Sequence, residues 1–234
     1  VRSRGLGDVY KRQSDALNLL RGLQFADGQF PSGGFAFSWG VESLAADGLL
    51  TRTDWPSFLA GQMQHRWATQ DRPLTAHAYL NANNPDALKE LDELTEALSL
   101  AAAAREGSRR AGAALLSTHV RLGTPGASAY RDRVNASEVP GHLPVVMGVV
   151  LAGAGLDLPT ALAVSAHSSA QALGSAAVRL GLIGALDAQL ALQGLQPRLA
   201  EWVALALPKL DEIGGFTPLA DIATVSYTHL TLPT

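Results

Sequence analysis

The fold class is decided by residues 158–179, which read Leu-Pro-Thr-Ala-Leu-Ala-Val-Ser-Ala-His-Ser-Ser-Ala-Gln-Ala-Leu-Gly-Ser-Ala-Ala-Val-Arg. Alanine and leucine favour helix, and the stretch has few of the β-branched and aromatic residues that favour strand. It therefore predicts a central helix. Its small side chains let packed helices approach closely, so they also predict a homodimer through this helix or an adjoining one. These side chains are Ala163, Ala166, Ala170, Gly174 and Ala177.

The rest of the chain has the same bias. Its 234 residues are 47% hydrophobic and 17% charged, and the apolar residues are mostly alanine and leucine. A chain of this length can bury a sizeable core as one domain. We predict an all-α fold, a single-domain helical bundle of about eight to ten helices.

Charge and cysteine content exclude several classes of function. A net charge of −3 and a pI near 6.1 give no basic surface for nucleic acid or an anionic membrane. The absence of cysteine excludes disulfides, thiolate metal sites and cysteine nucleophiles, and it is consistent with a cytoplasmic protein. The longest apolar stretch, 156–178, is interrupted by polar residues, so it reads as a buried helix rather than a membrane span.

The two ends of the chain differ in character from the middle. Residues 1–13 carry four basic residues without an apolar core, so they do not form a secretory signal peptide. Residues 1–13 and 226–234 both resemble translated adapter sequence and are predicted to be non-native. The sequence therefore predicts an all-helical domain over 14–225. Ser14 is the predicted N-cap of its first helix.

A second informative stretch is the aromatic loop, residues 26–42, which reads Ala-Asp-Gly-Gln-Phe-Pro-Ser-Gly-Gly-Phe-Ala-Phe-Ser-Trp-Gly-Val-Glu. Its glycines and its proline prevent one continuous helix. Its aromatic side chains are unusual for an exposed loop, which is normally small and polar. The loop is either a rigid element covered by a partner or a packed corner between helices.

Turn residues and periodicity place the remaining elements. We expect a helix kinked or restarted at Pro73, a helix from Pro85 with a solvated acidic face, and separate helices over 186–193 and 197–207. The acidic face comprises Glu90, Asp92, Glu93 and Glu96. Residues 123–140 are predicted to be a long irregular connection.

No motif for catalysis or cofactor binding is present in the sequence. The six histidines never fall three or four residues apart, and neither a phosphate-binding loop nor a serine-nucleophile elbow occurs. We predict no catalytic residue, no metal ligand and no cofactor. Polar positions Gln171, Arg179, Asp187 and Gln189 fit either helix capping or a surface for a partner, and Arg105 and Arg109 form a basic helix face.

Four short blocks together resemble the urease accessory protein F family. Residues 31–42 resemble its Pro-x-Gly-Gly-Phe-x-His-Ser-x-Gly-x-Glu segment, and residues 142–148, His-Leu-Pro-Val-Val-Met-Gly, resemble its His-x-Pro-Val-x-x-Gly segment. Residues 175–189 and 216–223 resemble its later segments in the same order. Two departures stand out: Phe37 occupies a position where many members carry histidine, and the His-Glu-x-Leu and Arg-Leu-Phe tail of the family is missing.

The resemblance implies a non-enzymatic scaffold for loading nickel into urease. Such a protein forms a homodimer, binds the accessory protein called H or D, and recruits and regulates the accessory GTPase G for delivery to apo-urease. The missing tail predicts that the fold survives while binding to protein H is impaired. The residues predicted to contact partners are Phe35, Phe37, Ser38, Trp39, Glu42, Arg105, Arg109, His142, Arg179, Asp187, Gln189 and Asp221.

Two alternatives belong to other classes. A small all-helical enzyme of the thiaminase or haem-oxygenase kind would use the aromatic loop as a pocket wall, with Glu42 as its catalytic carboxylate. A dimeric effector-binding module would need a DNA-reading helix or a basic arm, and neither is recognisable.

Overall fold

Helices form every regular element in the computed structural model, which describes residues 2–33 and 39–230, with side chains over 11–33 and 39–224. The α-helices are α1 (Arg2–Ala26), α2 (Val41–Ala46), α3 (Trp55–Gln62), α4 (Arg72–Leu80), α5 (Pro85–Leu98), α6 (Ala102–Arg121), α7 (Ala127–Asn135), α8 (Leu143–Gly153), α9 (Leu158–Arg179), α10 (Ala185–Val203) and α11 (Pro218–Leu230). A π-helical segment, Met63–Asp71, joins α3 to α4, and a short 3₁₀ turn spans Leu210–Glu212. The predicted all-α, single-domain fold is confirmed.

The most extensive helix contact is between α8 and α4. Residues 144–151 of α8 are all buried, as an apolar sequence without a polar face requires. The two backbones meet at Gly148, where a β-carbon would lie 2.4 Å from the Thr75 carbonyl oxygen and 2.7 Å from the Ala78 β-carbon. Glycine is therefore needed at this position for the helices to touch.

Replacing Gly148 by alanine is expected to lower the free energy of unfolding by about 2 kcal/mol, because the added methyl group forces α8 away from α4. The matched control is Gly61→Ala in α3, where an added β-carbon has no atom within 4 Å. That variant is expected to gain up to about 1 kcal/mol from helix propensity. Urea denaturation measures both, and equal effects of the two substitutions would contradict this account of the helix contact.

Two apolar clusters form the core, and α9 contributes to both. The first lies among α4, α5, α6, α7 and α8 and includes Ala161 and Val164 of α9. The second lies among α2, α3, the π segment and α10 and includes Ala166, Ala170 and Ala177. The small side chains of α9 thus allow close packing against other helices of the same chain.

Two local predictions are wrong. Residues 127–135 of the predicted irregular connection form α7, which begins after Gly126 and buries Tyr130. Residues 186–207 contain one helix instead of two, because α10 continues through Pro197. Its buried leucines fall on one face on both sides of the proline, which keeps the helix on the core. These leucines are Leu192, Leu195 and Leu199.

The first helix also differs from its prediction. Ser14 is not an N-cap, because α1 runs without a break from Arg2 to Ala26. The helix is anchored by Asn18, whose amide nitrogen donates to the Asp157 carboxylate at 2.9 Å and to the Thr160 hydroxyl at 2.7 Å. The predicted domain limits at 14 and 225 stay predictions.

Candidate partner-binding site

All four family-like blocks meet at one cavity of about 130 Å³. Ser32 and Trp39 reach it from the first block, and Pro144 and Met147 from the second. The third contributes Ser175, and the fourth contributes Thr217, Ala220 and Asp221. Segments separated by more than a hundred residues in the chain therefore contribute to one place in the fold.

Several polar side chains line this cavity. Thr75 is fully buried there, and its hydroxyl finds no hydrogen-bond partner among the described residues. Ser165 accepts a hydrogen bond of 3.1 Å from the Trp67 indole nitrogen, and Gln70 is also buried. A buried hydroxyl without a hydrogen-bond partner is unfavourable, so a polar group placed in the cavity beside Thr75 would be stabilised by it.

Arg66 connects the first and fourth blocks. Its guanidinium lies 5.4 Å from the centre of the Trp39 ring, and its Nη1 lies 3.6 Å from an Asp221 carboxylate oxygen. Its Nε lies 3.8 Å from the Asp71 carboxylate. Burial raises the pKa of Asp71, and the positive charge of Arg66 opposes that rise.

The first block also touches the fourth through its backbone. Gly40, which precedes α2, has φ +83°, and a β-carbon there would lie 2.7 Å from the Ala220 carbonyl oxygen. A left-handed backbone this close to α11 requires glycine. The turn before α2 is therefore fixed against α11, beside Arg66.

His142 of the second block lies in a buried network around Asp92. The Asp92 carboxylate accepts hydrogen bonds from the Tyr130 hydroxyl at 2.8 Å and from the backbone N–H groups of Gly141 at 2.6 Å and His142 at 2.8 Å. Burial raises the pKa of Asp92, and the three donors oppose that rise. The network fixes the entry to α8.

Asp92 corrects the predicted solvated acidic face. Its side chain is completely buried, together with Leu88, Leu91 and Thr95 on the same side of α5. Asp92 lies four residues after Leu88 and three before Thr95, which places it on the core side of α5, and its acidic neighbours in sequence hid that position.

Glu96 links His142 to the predicted basic face. The His142 imidazole Nε2 lies 2.7 Å from a Glu96 carboxylate oxygen, and Arg105 and Arg109 lie 3.2 Å and 3.1 Å from the same carboxylate group. His142 itself is completely buried, and burial lowers the pKa of its imidazole. The two arginines remain partly exposed, so this cluster presents positive charge to solvent.

The third block lies at the junction of α9 and α10. Asp187 accepts a hydrogen bond of 2.9 Å from the Gly184 N–H, which caps α10, and pairs with Arg52 at 2.9 Å. These two contacts lower the pKa of Asp187. Arg179 ends α9 as predicted, and Arg179 and Gln189 are both exposed.

Of the other predicted contact residues, some lie outside the residues that the structure describes and one lies within them. Phe35, Phe37 and Ser38 lie outside the described residues. Glu42 is half-buried in the first turn of α2, and it is not among the described side chains that line the cavity. Arg66, Asp71 and Gln70 were missed, because their positions in sequence resemble an ordinary helix face.

Among the described residues, no group of three histidine, aspartate or glutamate side chains is arranged to hold a metal ion. No helix there combines the length and apolar character that a membrane span needs.

Residues 50–196 match the sequence profile of the UreF family. The urease accessory protein UreF of Trichodesmium erythraeum (strain IMS101) is 29% identical over 229 residues, which cover 93% of this chain and 96% of that protein. The proteins of the same name from Rhizobium etli (strain CIAT 652) and Bacillus sp. (strain TB-90) are each 30% identical, over 89% and 91% of this chain and 92% and 96% of their own lengths. The chain belongs to the UreF family of urease accessory proteins.

Proposed function

We propose that this protein is a non-enzymatic, cytoplasmic scaffold for urease maturation. It binds accessory protein H or D, and the complex recruits and regulates the GTPase G, so that nickel is inserted into apo-urease. The observation that carries the proposal is the convergence of all four family-like blocks on one cavity.

The surface that we assign to accessory protein H is the exposed side of α11 and the residues just before it. Phe216 and Leu219 are 73% and 53% exposed there, and large exposed apolar side chains often mark protein interfaces. On the cavity side of this surface, Arg66 contacts both Asp221 and Trp39, and these contacts hold α11 in place. Arg105 and Arg109 offer a second, positively charged surface on α6.

We also propose a homodimer. The small side chains of α9 are largely buried within the chain, so an adjoining helix is the better candidate for the contact. Helix α10 exposes Leu186 and Leu190, at 71% and 55%. Light scattering is expected to give twice the monomer mass, and a Leu186→Asp, Leu190→Asp variant is expected to shift toward monomer. A monomeric mass for the unsubstituted protein at every concentration would contradict the proposal.

Co-expression with accessory proteins H and G, followed by size-exclusion chromatography, tests the scaffold. We expect a complex that contains this protein together with proteins H and G. If no complex forms, the scaffold proposal is wrong.

Arg66→Met is the site variant for this experiment. Because it leaves Asp71 and Asp221 without their shared cation, we expect about 10-fold weaker binding of protein H. The matched control is Arg110→Met, which removes an exposed arginine that pairs with Glu106 on its own helix. Equal binding by the two variants would remove Arg66 from the proposed site.

In this proposal nickel is the cargo of the complex, and the chain has no cofactor of its own. Isothermal titration of the isolated protein with nickel is therefore expected to give weak binding at most. A stoichiometric site of submicromolar affinity would contradict this part of the proposal.

A further inference from the structure

The segment between α10 and α11, residues 204–217, is held on the α3–π–α4 helix by a series of polar contacts. We call this segment the strap. Its start is fixed by Arg72, whose Nη1 and Nη2 donate to the carbonyl oxygens of Leu205 at 2.9 Å and Ala206 at 3.3 Å. The His77 Nε2 lies 2.9 Å from the Pro208 carbonyl oxygen.

Arg72 is unusual because it is an arginine with only 3% of its surface exposed. Its third contact is the Ala68 carbonyl oxygen, at 3.1 Å, so its hydrogen-bond partners among the described residues are backbone oxygens and none is a carboxylate. Burial lowers the pKa of the guanidinium. A buried cation held only by carbonyl groups is costly, and one that joins two separate segments has a positioning role.

The end of the strap lies on the π segment. The Gly214 N–H donates to the Thr69 carbonyl oxygen at 3.3 Å, and the Phe216 N–H donates to the His65 carbonyl oxygen at 3.0 Å. A carbonyl oxygen has two lone pairs, so an oxygen of a helix can accept such a bond from outside. π-helical segments are rare and are often found at functional sites.

The same π segment carries the residues that face the cavity. Arg66, Trp67, Gln70 and Asp71 all line it, and Arg66 in turn contacts Asp221 of α11. The strap and the cavity are therefore supported by the same short stretch of backbone. Any change in the path of this stretch moves both of them together.

We infer that the strap is a positioning element. Its contacts with Arg72 and with the backbone of the π segment determine where α11 lies. When the strap is docked, Asp221 and the exposed side chains of α11 stand in the place required for a partner. When it is undocked, α11 loses this support and Ile213 of the strap leaves the first apolar cluster, while the helices of that cluster stay packed. The consequence for binding rests on the proposed docking of accessory protein H on α11.

The chain offers a matched pair of neighbouring glycines to test this inference. A β-carbon at Gly215 would lie 2.8 Å from the Gln70 side-chain oxygen and 3.1 Å from the His65 carbonyl oxygen, whereas a β-carbon at Gly214 has no atom within 4 Å. Gly215→Val should lift the strap from the π segment, and Gly214→Val should leave it docked. Both positions are exposed in a loop, so neither added side chain enters the core.

Hydrogen–deuterium exchange is measured for both variants and for Arg72→Met. In Gly215→Val and Arg72→Met, we expect exchange of residues 216–224 to be about 10-fold faster than in the unsubstituted protein. Residues 143–153 of α8 should exchange at an unchanged rate in Gly215→Val. Arg72→Lys, which keeps a buried cation with fewer donors, should fall between Arg72→Met and the unsubstituted protein. Unchanged exchange of 216–224 in Gly215→Val would overturn the inference, even if Arg72→Met fails to fold.

Binding of purified accessory protein H is measured on the same samples. We expect Gly215→Val to bind about 10-fold more weakly than Gly214→Val. Equal binding by both variants overturns the positioning role while leaving the proposed function in place. If the unsubstituted protein does not bind protein H at all, the proposed function fails, and the inference about α11 is decided by the exchange rates.

Discussion

Replacing Asp92 by alanine is expected to lower the free energy of unfolding by about 3–5 kcal/mol, the largest effect of a single substitution that we expect in this protein. The change removes the acceptor of three buried donors, the Tyr130 hydroxyl and the N–H groups of Gly141 and His142. Each donor is then buried without a partner. Chemical denaturation monitored by circular dichroism measures the loss.

Two further variants make the measurement specific. Glu90→Ala removes an exposed carboxylate from the same helix and should change stability by less than about 0.5 kcal/mol. Asp92→Asn keeps one acceptor oxygen but points an N–H₂ group at other donors, so its effect should fall between those of the two alanine variants. An effect of Asp92→Ala as small as that of Glu90→Ala would show that the network does not hold the entry to α8.

The second large effect is a loss of stability on acidification that depends on His119. This imidazole is completely buried, stacks near Phe25 and Phe30 at ring distances of 5.1 Å and 5.6 Å, and contacts the Thr124 hydroxyl through Nδ1 at 2.9 Å. Its Nε2 finds no partner among the described residues. Burial lowers the pKa of His119 from 6.5 to about 4.

The direction of the pH dependence follows from the lowered value. Between the two pKa values the unfolded chain binds a proton at this histidine and the folded protein does not, so protonation favours unfolding. The contribution is fully present above the unfolded pKa of 6.5, falls as the pH decreases, and is lost at about 4. It amounts to about 3 kcal/mol, because a tenfold difference in proton affinity corresponds to about 1.4 kcal/mol.

His119→Leu isolates this contribution from the other titrating groups. We expect the unsubstituted protein to lose about 3 kcal/mol more stability than the variant between about pH 7 and about pH 4. Urea denaturation at a series of pH values gives the difference. Parallel pH profiles for the two proteins would mean that His119 is not kept neutral by the fold.

Composition was sufficient to predict the fold class, because a sequence dominated by alanine and leucine has few ways to form a sheet. Element boundaries were predicted less well where a glycine or proline is compatible with more than one local structure. Gly126 was interpreted as part of a loop, but in the structure it precedes α7 with φ +80°. Pro197 was interpreted as the start of a helix, but the buried leucines on both sides keep α10 continuous.

The candidate site was predictable only in part. The four blocks were identified from the sequence, but their meeting at one cavity depends on the packing of distant helices. Arg66 and Asp71 lie outside the blocks, and Arg72 has a partner more than a hundred residues away. Contacts between residues so far apart in the chain cannot be predicted from a local sequence pattern. Asp92 was hidden for the opposite reason, since its acidic neighbours suggested a solvated face.

The most direct test of the scaffold is activation of apo-urease with purified components. Apo-urease is incubated with nickel, GTP and accessory proteins H and G, with and without this protein. We expect urease activity and bound nickel to rise about 10-fold when this protein is present. Equal activation with and without it would contradict its role in urease maturation.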